Sequence, residues 1–232
     1  MRSLVVNTFL TLDGVMQAPG GPDEDPTGGF EQGGWGVTAW DDAMYARMGS
    51  LMDQPFDLLL GRKTYEIFAA HWPHVGEGAR DDRGGTGSEI DDPAAAALND
   101  ARKYVASRTL REVAWNNSVL LEGDVGDAVA ALKQQDGPMI QVHGSSDLLQ
   151  TLIARGLVDE YRLWFFPVVV GAGKRLFGDG VVPGSLQLVE CETSPSGVVM
   201  TVYRPAGPIE FGSFEFDEPT PEELERRRNL GA

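Results

Sequence analysis

The apolar run Asp57-Leu58-Leu59-Leu60 breaks at Gly61 and continues as Arg62-Lys63-Thr64-Tyr65-Glu66. That order predicts a buried strand, a tight turn and then a helix from Thr64 to about Ala70. Such a turn can hold an anion. Backbone N–H groups at a helix start and the positive end of its dipole favour phosphate, and Arg62, Lys63 and the Thr64 hydroxyl add donors. An ordinary capped connection has the same composition, so this turn alone leaves both readings open.

The construction recurs. Lys103 to Ala106 reads as a strand ending at Ser107-Arg108-Thr109, and Pro138 to Val142 as one running into His143-Gly144-Ser145-Ser146-Asp147, where Ser146 could cap a helix over Leu148 to Arg155. Ligands of open α/β sheets bind at the carboxyl ends of strands, so three such turns favour a shared cofactor over three unrelated connections.

Around these units, Leu4 to Leu10 is a central strand entering the Asp13-Gly14 turn, and Ala18 to Gly36 is a long loop dense in Gly, Pro and acids. Phe30, Trp35 and Trp40 in or beside that loop either pin it to the body or cover a ligand. Asp41 to Met52 is an amphipathic helix capped by Asp41 or Asp42, and Gly76 to Asp92 a Gly- and Asp-rich insertion before a short helix over Pro93 to Asn99. Ser118 to Leu121 is a further strand and Gly126 to Gln135 a helix. Val158 to Val170 is β-rich, with Pro167 implying an edge or a bulge. Leu186 to Cys191 and Val198 to Tyr203 form a hairpin that closes the sheet antiparallel. Residues 206–232 follow as an acidic extension with a helix starting at Thr220, leaving 1–205 as the main domain.

A formal net charge of −16 leaves no basic stripe for nucleic acid, and the single cysteine, Cys191, excludes a disulfide framework or a thiolate zinc cluster. His71 and His74 lack a further ligand, so no metal is expected. No apolar run approaches the roughly 20 residues of a membrane helix, and the start is too polar for a signal peptide, so a cytoplasmic protein is expected. The deaminase signature of His-x-Glu with Pro-Cys-x-x-Cys is missing.

Several segments together resemble the dihydrofolate reductase-like family that includes the RibD C-terminal reductase domain of riboflavin biosynthesis. They are Leu12-Asp13-Gly14, Leu60 to Tyr65, Lys103 to Leu110, Val142 to Ser145, Leu157 to Glu160 and Pro167 to Phe177. The resemblance implies a three-layer α/β/α fold with a mostly parallel sheet and an antiparallel carboxyl-terminal hairpin. It also implies NADPH-dependent hydride transfer to a small heterocyclic or carbonyl substrate. Gly61, Arg62, Lys63 and Thr64 would hold phosphates, Ser107 and Arg108 the 2′-phosphate, and Gly144, Ser145 and Ser146 the pyrophosphate. Phe9, Trp35 and Trp40 would border the substrate. Tyr45 stands where dihydrofolate reductases carry an acid, which points to a ring other than dihydrofolate. Asp13, Asp42 or Tyr45 could position the proton. A homodimer is the expected assembly, and a ligand-binding protein of the same fold without turnover is the alternative.

Overall fold

The apolar runs become the strands β1 (Leu4–Thr11), β2 (Phe56–Gly61), β3 (Lys103–Ala106), β4 (Ser118–Leu120), β5 (Met139–His143), β6 (Glu160–Phe166), β7 (Leu186–Thr193) and β8 (Val199–Pro205). In a computed structural model that describes residues 1–75, 93–178, 181–214 and 218–230 they form one sheet, ordered β4-β3-β2-β5-β1-β6-β8-β7. Pairing is parallel from β4 through to β6 and antiparallel for β6 with β8 and β8 with β7. This is the mostly parallel sheet, closed by a hairpin, that the sequence implies.

Among the described residues six α-helices accompany it: α1 (Asp42–Met52), α2 (Arg62–His71), α3 (Pro93–Asp100), α4 (Val125–Gln134), α5 (Ser146–Ala154) and α6 (Pro221–Arg228). Successive strand residues face opposite sides, which divides the core into two layers. Leu4, Val6, Leu59, Ile140 and Val142 pack against Val129 and Leu132 of α4 and Leu148, Leu149 and Leu152 of α5. On the other face, Leu58, Leu60 and Val105 pack against Tyr65 of α2 and Leu98 of α3, and Trp164, Phe166 and Met200 against Met44 of α1. α1, α2 and α3 therefore share one side and α4 and α5 the other. α6 buries no residue. Among the described residues no helix is long and apolar enough to cross a membrane.

Several boundaries move for local reasons. α2 begins at Arg62, two residues earlier than expected, because Gly61 itself is the extended N-cap residue (φ −73°, ψ 161°). Arg62 and Lys63 thus lie in the first turn. Asp41 is the cap of α1, its carboxylate accepting from the Met44 N–H at 3.0 Å. The run expected over Val158 to Val170 leaves the sheet after Phe166, at Pro167. The cap expected at Ser146 falls instead to Ser145, in left-handed backbone (φ +65°) with no capping bond from its side chain. The expected insertion at Gly76 to Asp92 lies outside the described residues.

Candidate functional site

At the carboxyl ends of β1, β2, β3 and β5 a cavity of about 1200 Å³ opens between the turns. Gly61, Arg62, Lys63, Thr64, Ser107, Arg108, Gly144, Ser145 and Ser146 all line it, so the three turns singled out in the sequence converge on one space. The remaining wall is largely aromatic and aliphatic, with Phe9, Trp40, Met48, Leu51, Phe68 and Trp164.

The turns hold one another. Gly61 donates its N–H to Ser145 Oγ at 2.8 Å, and Ser145 Oγ donates to Thr64 Oγ1 at 2.7 Å. A β-carbon on Gly61 would lie 3.0 Å from both Cβ and Oγ of Ser145, so the glycine is what lets the first and third turns touch. Gly144 and Ser145 both have positive φ (+74° and +65°). For serine that backbone costs about 1–2 kcal/mol, and the bonds to Gly61 and Thr64 hold it there. The second turn is tied in by Arg62, which donates to Thr109 Oγ1 at 2.7 Å and to Glu66 at 2.8 Å. Ser107 Oγ is occupied within its own turn, accepting from the N–H groups of Thr109 and Leu110. Arg108 is exposed and makes no hydrogen bond or ion pair with the described residues, which leaves its guanidinium free for an anion.

The loop from Ala18 to Gly36 closes one side, and its aromatics divide the two roles expected of them. Phe30 is buried with Val15 and Ala18. Trp35 does not line the cavity: it packs edge-on against Phe166 at 5.3 Å and donates Nε1–H to the Gln17 carbonyl at 2.8 Å. Trp40 does line it, in contact with Phe9 (5.6 Å) and Trp164 (5.7 Å). Asp25 clasps the loop to the body through an ion pair with Lys174, and Lys63 lies 3.7 Å from it while donating to Thr27 Oγ1 at 2.9 Å. Burial raises the Asp25 carboxyl, but the Lys174 and Thr27 hydrogen bonds and the Lys174 charge outweigh that and hold it below its ordinary value.

The three proton-donor candidates stand off the cavity wall. Asp13 accepts from Thr11 Oγ1 at 2.6 Å, which does most to lower its pKa, and from the N–H groups of Gly171 and Val170, so it braces the neighbouring loop. Asp42 is exposed in the first turn of α1. Tyr45 is 64% exposed, with its ring against the outside of Trp40 at 5.2 Å.

The site also contains groups that the motifs did not mark. Asn7 and Thr8 of β1 are buried on the cavity wall, and Asn7 Oδ1 and Thr8 Oγ1 have no hydrogen-bond partner among the described residues. His143 Nε2 sits 2.8 Å from Gln141 Oε1; burial, and then the Arg162 charge, push its pKa down to about 4, so it is neutral at pH 7. Glu24 of the loop accepts from the Gly20 N–H at 2.6 Å and has its carboxyl raised by burial. A signal for the first set was present in the sequence: Asn7, Gln141 and His143 are polar residues on one face of strands otherwise apolar.

Comparison with known proteins places this geometry. The model of the RibD C-terminal domain matches residues 2–200. The uncharacterized protein YyaP of Bacillus subtilis is 29% identical over 207 residues, covering 88% of this chain and 95% of that protein. A putative riboflavin biosynthesis protein from Shewanella sp. PV-4 has a similar fold, with TM-score 0.56, 19% identity and coverage of 88% and 99% of the two chains. So has a pyrimidine reductase-like protein from Corynebacterium diphtheriae, with TM-score 0.54, 13% identity and coverage of 88% and 92%. Dihydrofolate reductase from Enterococcus faecalis, solved with NADP(H), gives TM-score 0.51 and 12% identity over 88% of this chain and 96% of that one.

Proposed function

The chain belongs to the RibD C-terminal domain family, and we propose that it is an NADPH-dependent reductase of a small heterocyclic or carbonyl compound other than dihydrofolate. The observation that carries this reading is the convergence of three strand-end turns on one cavity, with Arg108 beside them making no hydrogen bond or ion pair to the described residues. A dinucleotide fits that wall: the first turn of α2 and the Gly144-Ser145 turn offer backbone N–H groups, and Lys63 and Arg108 offer charge to phosphate. Arg108 at the far turn suits a phosphate monoester, which favours NADPH over NADH.

When bound, the cofactor supplies a hydride. The chain's own residues orient the acceptor and exclude water: Phe9, Trp40 and Trp164, their rings inclined to one another, make an apolar wall on the α1 side of β1. Glu24, its carboxyl raised by burial and placed on the cavity wall, is the group we assign to hold the proton that the reduced product needs. His143 is neutral and serves as a fixed dipole.

A reading without turnover draws support from the position of Asp13, Asp42 and Tyr45 off the cavity wall. Fluorescence titration with NADPH and NADH separates the possibilities at the binding step. Arg108→Ala should weaken NADPH about tenfold and leave NADH unchanged, the size of one exposed, charge-assisted phosphate contact. Failure of NADPH to bind at millimolar concentration would overturn the reductase reading. Binding without NADPH oxidation across a panel of cyclic ketones and pyrimidines would favour the non-catalytic one.

A further inference from the structure

The sheet ends at β7, and among the described residues no strand pairs with its outer edge. All eight residues of β7 are exposed. Register divides them between the two faces of the sheet. Leu186 stands opposite Pro205 and Leu188 opposite Tyr203, so both leucines lie on the side where Tyr203 packs against the α4 and α5 layer, and Cys191 and Thr193, opposite Thr201 and Val199, join them there. Glu190 and Glu192 stand opposite Val202 and Met200, on the α1 side, where Arg47 of α1 pairs with Glu190. The first of these faces is therefore an uncharged strip, open to solvent beside an unpaired backbone edge. Long edges of this kind are sites of strand addition.

The chain itself carries a segment that fits this edge. Beyond β8 the ladder continues to Gly207, whose carbonyl accepts from the Ser185 N–H at 2.8 Å, and the Pro208 carbonyl accepts from the Ser185 hydroxyl at 3.0 Å. Ile209-Glu210-Phe211-Gly212-Ser213-Phe214 then follows with every residue exposed, Phe211 by 90% and Phe214 fully. It lies beyond residues 2–200, the part matched to the family. Ile209 and Phe211 alternate with Glu210, the period of a half-buried strand. Extended, six residues span about 20 Å, against about 26 Å for β7. We infer that this segment is an arm that pairs along the outer edge of β7 in a second copy of the chain, with Ile209 and Phe211 on the side of Leu186 and Leu188, and that two copies exchange arms about a two-fold axis. The chain's own β7 is badly placed to receive it, because the bond to Ser185 lies on the inner, β8 side of β7 and the arm would have to turn back across Gly184 to reach the outer one. Burying two phenylalanines removes about 300–500 Å² of the roughly 800 Å² per partner that a stable interface needs, and the leucines, Ile209 and the strand backbone add to it. The acids of β7 and its bulge at Val189 guard the edge against open-ended pairing, whereas a two-fold exchange closes on itself and uses each edge once.

The test measures the mass of the full-length chain in solution and locates its arm. Sedimentation equilibrium, in salt that screens the repulsion between two chains of formal charge −16, should find a dimer at micromolar concentration. Phe211→Ser combined with Phe214→Ser should raise the dissociation constant at least tenfold, as loss of two anchors does, and so should Leu188→Lys on the receiving strand. All three side chains are exposed within one chain, so the far-UV circular dichroism of each variant should match wild type. The arm is located with the chain's single cysteine, Cys191, exposed on β7. Mild oxidation of Ile209→Cys or Ser213→Cys, positions on the same face as Phe211, should link the arm to Cys191 of another copy in at least one of the two, and adding Cys191→Ser should abolish that covalent dimer. A monomeric wild type overturns the inference, as does a dimer whose affinity ignores the phenylalanine and Leu188 substitutions. Oxidation that joins arm and strand only within one chain overturns it too, and assemblies that keep growing with concentration would replace the closed exchange by an open one and so refute it. None of these readings involves a cofactor or turnover, so they stand apart from the fate of the reductase reading.

Discussion

Ser145 is the residue on which the joining of two turns can be measured. Its left-handed backbone (φ +65°) costs about 1–2 kcal/mol relative to a residue without a β-carbon. Its hydroxyl takes the Gly61 N–H at 2.8 Å and gives its proton to Thr64 at 2.7 Å. Ser145→Ala keeps the strain and removes both bonds, leaving a partly buried N–H unmet, for a loss of about 2 kcal/mol. Ser145→Gly removes the same bonds but relieves the strain, less about 0.5–1 kcal/mol for glycine's greater freedom in the unfolded chain. The glycine variant should therefore be the more stable of the two by roughly 0.5–1 kcal/mol. For a chain of this length 1 kcal/mol moves the melting temperature by about 2–4 °C, so we expect losses of about 4–8 °C for alanine and about 2–6 °C for glycine. Urea unfolding followed by far-UV circular dichroism gives the free energies directly. Both variants should also weaken NADPH, since Gly61 and Thr64 lose the neighbour that fixes them. An alanine variant as stable as the glycine variant, or wild-type stability in both, would refute the reasoning.

Two further outcomes are expected. Lys103 is buried, donating to the Asn99 carbonyl at 2.6 Å and lying 4.2 Å from the centre of the Trp115 ring, and burial lowers its pKa from 10.5 to about 8. Between those values the unfolded chain binds a proton that the folded chain does not, so this group makes stability rise with pH from about 8 to 10.5, by at most about 3 kcal/mol. Lys103→Met should flatten that rise in urea titrations at pH 7.5 and pH 10, and an unchanged slope would count against the assignment. Asp25→Asn should weaken the clasp from Lys174 by about 1 kcal/mol. Amide exchange over residues 20–29 should then quicken roughly fivefold while the strands stay protected, and unchanged exchange would show that the loop is held by Phe30 and Trp35 alone.

The sheet was legible because apolar runs bounded by glycine and polar turns dictate buried strands, and the three turns were legible because they share one composition. Tyr45 could have been placed from the sequence. Met44, Met48 and Leu51 form the inward stripe of α1, and the residue after Met44 is turned by about 100°, away from the sheet. Ser145 could not, because capping rules assume extended backbone at the cap and nothing in Gly-Ser-Ser says that the first serine adopts a left-handed conformation. The clasp between Asp25 and Lys174 and the bond between Asn7 and Gln141 join residues more than 130 positions apart, which no local pattern reports.

What sets the second of those pairs is register. Asn7 stands beside His143 on one side and Arg162 on the other, with Leu4 beside Ile140 in the same ladder. A slip of one residue would turn Leu4 and Val6 out of the layer they share with α4 and α5, and would carry Asn7 across the sheet. The apolar alternation that seats β1 in the core is therefore also what sets an amide at the cavity wall. The position of this polar group is set by the burial of its neighbours, so its pairing with Gln141 adds no separate requirement on the fold.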